Sequence, residues 1–244
     1  MIQKVNLASR KKENVLSYNP LQYFFKAIFA GMAIDLGMIF SNQVIMSYGK
    51  LPGAIVFSLG LLLIIFMGGE LFTGNTAVMT IGALSKNIKK RSVISSWIIS
   101  YIGNFVGCFV IAILFYKANV SGSKDFYTNL ADVKVATDPS EVLFRAILCN
   151  IFVCLAVILG IILEGEVAKI LMVVLCISAF ITCGFEHCIA NMGLFSVALL
   201  FKDFVSEEFL VLCLKHMGLV TVGNIIGGAI FVGVLFFAIT LRRD

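Results

Sequence analysis

Six charge-poor stretches, at 27–49, 51–85, 92–116, 146–163, 170–201 and 216–241, occupy most of the chain. A helix needs about 20 apolar residues to cross the hydrocarbon core of a bilayer, so the six are expected to be transmembrane helices. Composition agrees. Of 244 residues, 60% are hydrophobic and 14% charged, against roughly a quarter charged in an ordinary soluble domain. A soluble enzyme, a nucleic-acid-binding module and a disordered chain are thereby excluded, and the partner to expect is lipid. The loops are too short for a second domain. The expected organisation is a polar N-terminal segment, 1–24, followed by one transmembrane domain, 25–241.

Charge placement orients such a bundle, because Lys and Arg accumulate on the cytoplasmic side. With the N-terminus inside, ten basic residues fall there: Lys4, Arg10, Lys11, Lys12, Lys86, Lys89, Lys90, Arg91, Arg242 and Arg243. Six fall outside: Lys50, Lys117, Lys124, Lys134, Lys202 and Lys215. Lys26, Arg145 and Lys169 stand at helix mouths. Both termini are therefore expected in the cytoplasm of a cell-membrane protein. The first apolar stretch contains Asp35 and no small-residue cleavage site, so no signal peptide is expected. Six of the seven cysteines fall inside spans, as packing residues. No CxxC pair or Cys/His cluster has zinc spacing, and no metal or cofactor is expected.

The chain repeats itself. Phe25-Lys26-Ala27-Ile28 returns as Phe144-Arg145-Ala146-Ile147, an offset of 119. Gly68-Gly69-Glu70 with Asn75 returns as Gly184-Phe185-Glu186 with Asn191, an offset of 116. Gly103-Asn104-Phe105-Val106-Gly107 returns as Gly223-Asn224-Ile225-Ile226-Gly227, an offset of 120. Each half, about 25–116 and 144–241, holds three spans. Three is odd, so the halves enter the membrane from opposite sides, a design typical of transport proteins with a midplane site. The second and fifth spans are too long and too glycine-rich for plain helices. Gly68, Gly69, Gly74 and Asn75 are expected to break one, and Gly184, Asn191 and Gly193 the other. Non-helical backbone at membrane depth survives only in a protein interior or along a cavity, so matched breaks point to a pore.

Residues shared by the two breaks should do what both need. Glu70 and Glu186, with Asn75 and Asn191, are expected to satisfy orphan backbone groups of the broken helices, or the glutamates to relay protons. His187 and Thr73 are unshared, facing Leu71 and Ile189 in the overlay. Histidine changes charge near neutrality, and Thr73 can orient the ring or a ligand. The alternative for His187 is a ring satisfied by backbone. His216 is read as a structural residue at a loop end. Leu71, Phe72, Phe57, Leu61 and Phe180 give the breaks an apolar lining or are plain core. Asp35 faces a vestibule or a subunit interface, or is a satisfied polar group.

Three long motifs carry a resemblance. The run from Ile65 to Gly74, the run from Ala146 to Ala156 and Gly184-Phe185-Glu186-His187-Cys188-Ile189-Ala190-Asn191-Met192 resemble the signatures of the formate/nitrite transporter family, in order, over the chain from about Asn19 to the last helix. The resemblance implies an aquaporin-like fold, a homopentamer with one pore per subunit, and small anions of weak acids as cargo: formate or nitrite, and in some members hydrosulfide, acetate or lactate. It implies that His187 is the central histidine and Thr73 the threonine of the first loop. Leu71, Phe72, Phe57, Leu61, Phe180 and Val153 match the two hydrophobic constrictions. Lys134 matches a vestibule lysine that attracts anions. Where some members carry a cytoplasmic lysine this chain has Val15, with Lys11 and Lys12 nearby. Asn19-Pro20-Leu21, Phe144 to Asn150, and Glu164 to Lys169 are most similar to nitrite channels.

A bare anion in an apolar slit costs several kcal/mol in desolvation, so proton-linked passage is expected, with His187 supplying or relaying the proton. A water or glycerol pore would usually carry Asn-Pro-Ala in both loops, yet Pro20, Pro52 and Pro139 all lie outside the breaks. An intramembrane enzyme would need a nucleophile with its base, or HExxH, and neither occurs at the breaks. A purely structural membrane protein would leave the midplane histidine unexplained.

Overall fold

The computed structural model describes residues 1–240. Arg242 and Arg243, counted above with the N-terminal side, and Leu241, the expected domain end, lie outside the described residues. Two amphipathic or polar helices and six apolar spans make up the fold. Helix α1 (Ile2–Tyr18) precedes the first span, α2 (Pro20–Tyr48). Asn19 separates them, and its side chain caps α2 by accepting from the Gln22 N–H at 3.0 Å. The second span is broken into α3 (Lys50–Met67) and α4 (Phe72–Leu84), and α5 (Lys90–Ala118) completes the first half. The polar helix α6 (Ser123–Val135) leads into α7 (Pro139–Ile162), the broken pair α8 (Glu166–Cys183) and α9 (Cys188–Phe201), and α10 (Glu207–Ile225). The last span continues as a π-helical stretch, Ile226–Val234, and a final turn, α11 (Leu235–Thr240). Among the described residues, six segments are long and apolar enough to cross a membrane. This is the all-α, twofold-inverted, broken-helix bundle expected from the repeat.

Boundaries differ from the expectation at several places, and the first and fourth spans each begin seven residues early, at Pro20 and Pro139. The last span begins at Glu207 rather than near 216, because a helix runs on through Lys215 once its other faces are buried. His216 is therefore a buried helical residue and not a loop end. The breaks are shorter than foreseen, 68–71 and 184–187. Gly74, Asn75, Asn191 and Gly193 are helical, inside α4 and α9. The turning residues are Gly68 and Gly184, with φ of 74° and 72°, a left-handed conformation that costs a side-chain-bearing residue about 1–2 kcal/mol.

Close packing of small residues assembles each half. In the first, α2 packs on α3 and α5, and in the second α7 packs on α8 and α10. A Cβ on Gly107 would sit 2.0 Å from the Ile28 carbonyl oxygen, and one on Gly227 2.3 Å from that of Ile147. The repeated Gly-Asn-x-x-Gly thus lets backbones touch where lipid offers no hydrophobic drive between helices. Helices α1 and α6 are separated by three crossings, so they lie on opposite membrane faces. α1 packs on α4 and α6 on α9, which carries the twofold relation beyond the repeat seen in sequence.

Candidate functional site

The N-termini of α4 and α9 meet at the centre. Leu71 is the N-cap of α4, so Thr73 lies in its first turn, and His187 is the N-cap of α9. The His187 Nδ1 accepts from the Ala190 N–H at 3.2 Å. In the neutral ring the proton is therefore on Nε2, which donates to Thr73 Oγ1 at 2.9 Å. The threonine oxygen accepts from the ring, so its own O–H proton is free for a third partner. Both residues are buried, as are all four glutamate and asparagine residues of the breaks.

Further side chains clamp this pair. The Thr73 carbonyl accepts from Thr76 Oγ1 at 2.6 Å, Cys154 Sγ at 3.2 Å and Asn150 Nδ2 at 3.4 Å. Asn150 also donates to the Asn224 carbonyl at 2.6 Å. Cys154, read from sequence as packing, is thus a donor at the break. Cys108 does the same opposite, giving its thiol to the Ile189 carbonyl at 3.5 Å.

The orphan backbone groups are met mostly by two residues that appeared in sequence only as repeat markers. Asn104 Oδ1 accepts from the Phe72 N–H at 2.9 Å, and its Nδ2 donates to the carbonyls of Ala27 and Glu70. Asn224 Oδ1 accepts from the Cys188 N–H at 2.9 Å, and its Nδ2 donates to those of Ala146 and Glu186. One polar residue at the same place in both copies of an otherwise apolar motif was the available signal.

The glutamates bind cations instead. Lys12 Nζ donates to Glu70 Oε2 at 2.6 Å, and Asn75 Nδ2 donates to the same oxygen at 3.1 Å. Lys134 Nζ donates to both Glu186 oxygens at 2.8 and 2.6 Å, joined by Asn191 Nδ2 at 2.8 Å. Of the two lysines near Val15, Lys12 is the one brought to the break; Lys11 is exposed. The halves then diverge. Asn75 continues to Tyr23 and Ser96, whereas Asn191 and Glu186 reach His216 Nε2 at 3.3 and 3.4 Å.

Two cavities approach the His187–Thr73 contact from opposite sides. On the α6 side one is lined by Asn42, Lys50, Phe57, Lys134, Phe180 and His187. The Phe57 and Phe180 rings meet edge to face with centroids 5.8 Å apart, and Phe180 lies 6.0 Å from the imidazole. On the α1 side the other is lined by Lys12, Ile64, Gly68, Leu71, Gly74 and Val157. Leu61 and Val153 are buried in the apolar core around the breaks. Phe72 points to Tyr101, ring centroids 5.0 Å apart, and lines neither cavity.

Asp35 fits none of its three expected settings. It is fully buried within the chain, lines neither cavity, and neither carboxyl oxygen has a hydrogen-bond partner among the described residues. It packs on α9 so tightly that a Cβ on Gly193 would fall 1.7 Å from Oδ1. Among the described residues, no group of three or more His, Cys, Asp or Glu could hold a metal ion.

Comparison with known proteins agrees with this geometry. A family model described as formate/nitrite transporter matches residues 1–238. The nitrite transporter NirC of Salmonella typhimurium (strain LT2) is 32% identical over 234 residues, covering 93% of this chain and 86% of its own. A solved structure titled FNT family ion channel superposes with a TM-score of 0.90 at 29% identity, covering 98% of both chains. A pentameric formate channel with formate bound superposes at 0.75 and 27% identity, covering 91% of this chain and 98% of its own. With residues 1–238 matched, its inverted broken-helix fold and a histidine–threonine pair between two cavities, this transport protein belongs to the formate/nitrite transporter family.

Proposed function

We propose that the chain conducts small monovalent weak-acid anions across the membrane through a pore in each subunit, linked to proton movement through His187 and Thr73. The observation that carries this is the 2.9 Å contact of His187 Nε2 with Thr73 Oγ1 between the two cavities. An anion entering from either side comes up against an apolar neck. Phe57 and Phe180 form the neck on the α6 side; Leu71, backed by Leu61 and Val153, forms the other, and Phe72 braces the turn that carries Thr73. Beyond the neck the anion meets the Thr73 hydroxyl proton and the positive ends of two half-helices, which favour negative charge. As the anion takes the Thr73 hydroxyl proton, Thr73 takes the Nε2 proton of His187 and a proton from cavity water restores Nε2, so the anion becomes its neutral acid and the pair ends as it began. The neutral acid then leaves through the far neck without the several kcal/mol of ionic desolvation.

Glu70, Asn75, Glu186 and Asn191 hold the breaks in this arrangement by tying them to Lys12 and Lys134. Lys134 also serves the anion: it cancels the Glu186 charge that would otherwise repel cargo from the α6-side mouth. Nitrite is the cargo we put first, on the local resemblance of the Asn19 to Leu21, Phe144 to Asn150 and Glu164 to Lys169 stretches and on the likeness to NirC. Formate is second, on the likeness to a formate channel. The basic cluster Lys86 to Arg91 supports a cytoplasmic location for α1 and both termini. The likeness to a pentameric channel supports a homopentamer.

The test is uptake of nitrite, formate and hydrosulfide into proteoliposomes at two pH values. Wild-type uptake is expected to rise in acid with internal acidification, and His187→Phe to abolish the proton-linked part. Full proton-linked uptake by His187→Phe would overturn the relay. Rapid glycerol swelling with no anion flux would overturn the reading altogether.

A further inference from the structure

The charge of the α6-side mouth is not where the vestibule lysine would put it. Lys134 donates to both oxygens of Glu186, and the two side chains are largely buried together. Seen by an approaching anion, the pair is close to neutral. The other cations on this side are mostly matched as well: Lys124 by Asp203, Lys202 by Asp132 and Arg145 by Glu141. Lys50, the first residue of α3, differs. It lines the cavity together with His187 and Phe180, and among the described residues it forms no ion pair or side-chain hydrogen bond. Its Nζ stands 3.5 Å from where a Cβ on Gly184 would be. Gly184 thus supplies the left-handed turn and leaves the ammonium clear space at the edge of the break.

We propose that Lys50 is the anion-capturing residue of the α6-side mouth, binding the small monovalent anion before it enters the Phe57–Phe180 neck. This rests on the anion-conducting function proposed above. Lys50 is exposed at the rim of the cavity, and an unpaired ammonium at the mouth of an apolar cleft raises the local anion concentration there. A lysine bonded to a buried carboxylate cannot do so. The two lysines then divide the work: Lys134 removes the repulsion of Glu186, and Lys50 supplies the attraction.

The experiment is initial nitrite uptake against concentration, in proteoliposomes at low and high ionic strength, for wild type, Lys50→Gln, Lys50→Arg and Lys117→Gln. Lys50→Gln is expected to raise the half-saturating concentration roughly threefold or more at low salt, with the maximal rate unchanged. The difference should collapse at high salt, where the screening length falls to about 3 Å. Lys50→Arg should behave as wild type. Lys117→Gln, which removes one exposed charge from the same face outside the cavity, should also match wild type. Equal half-saturation for Lys50→Gln and wild type at low salt would overturn the proposal while leaving the channel reading intact. Failure of the wild type to pass nitrite or formate would overturn both. A fall in maximal rate alone would mark Lys50 as a structural residue and also overturn the proposal.

Discussion

Thr73 Oγ1 has one proton to give, because the oxygen is already an acceptor for His187 Nε2. That single proton distinguishes the hydroxyl from its isosteres. Thr73→Ser keeps it and is expected to retain most uptake. Thr73→Val removes it, leaves the imidazole N–H unpaired, and is expected to cut uptake at least tenfold in the proteoliposome assay, since a buried unmet donor costs about 1–3 kcal/mol. The caps behave differently. Asn104→Ala orphans the Phe72 N–H and the Glu70 carbonyl and removes an added bond to the Ala27 carbonyl of α2. At about 1–3 kcal/mol for each unpaired group, the purified protein should lose several degrees in Tm. Asn224→Ala should lose a similar amount, because its bonds are the mates of those made by Asn104. Equal losses would confirm that the repeat is energetic as well as geometric. His187 and Thr73 were legible in sequence as the residues that break the repeat. The asparagines were visible there only as repetition, since nothing in a sequence says which backbone groups an amide will face.

At the scale of elements, α1 and α6 act as arms that reach from opposite faces to the two breaks. Each brings one lysine to one glutamate at 2.6 Å. Removing one partner of a buried pair costs about 3–5 kcal/mol, mostly because the other charge is stranded. Lys134→Met is therefore expected to lower Tm markedly, and adding Glu186→Gln should restore most of the loss. No recovery in the double variant would show that the lysine holds α6 by packing rather than by charge. The π-helical stretch has an equally local purpose. It places Gly228 where a Cβ would lie 1.9 Å from Thr76 Oγ1 and 2.6 Å from Asn150 Nδ2. Gly228→Ala should thus disturb the clamp on the Thr73 carbonyl and reduce both thermal stability and uptake. A wild-type-like Gly228→Ala would mean that the last span can shift freely.

Over the whole molecule, apolar side chains such as Phe40, Phe66, Ile98 and Leu114 remain exposed around the bundle. Lipid covers such surface, and so can neighbouring copies of the chain. Native mass spectrometry from mild detergent is expected to give five copies, and a monomer under all conditions would refute the pentamer. The six crossings, their inverted pairing and the turning glycines Gly68 and Gly184 were determined by sequence alone, whereas the extent of each break was not. Hydrocarbon thickness sets the length of an apolar run, an odd number of spans inverts the second half, and only glycine turns cheaply where Gly68 and Gly184 turn. What only the tertiary structure decided is which polar groups meet. The bond between His187 and Thr73 joins residues 114 apart in sequence, and the lysines at Glu70 and Glu186 come from helices outside the legible repeat. Among the described residues, Asp35 is enclosed without a hydrogen-bond partner, and Lys50 stands beside Gly184 without an ion pair. Apolar periodicity reports that a helix is buried. It carries no information about the partner across a packed interface, because in lipid that choice is made by side-chain geometry between helices far apart in the chain.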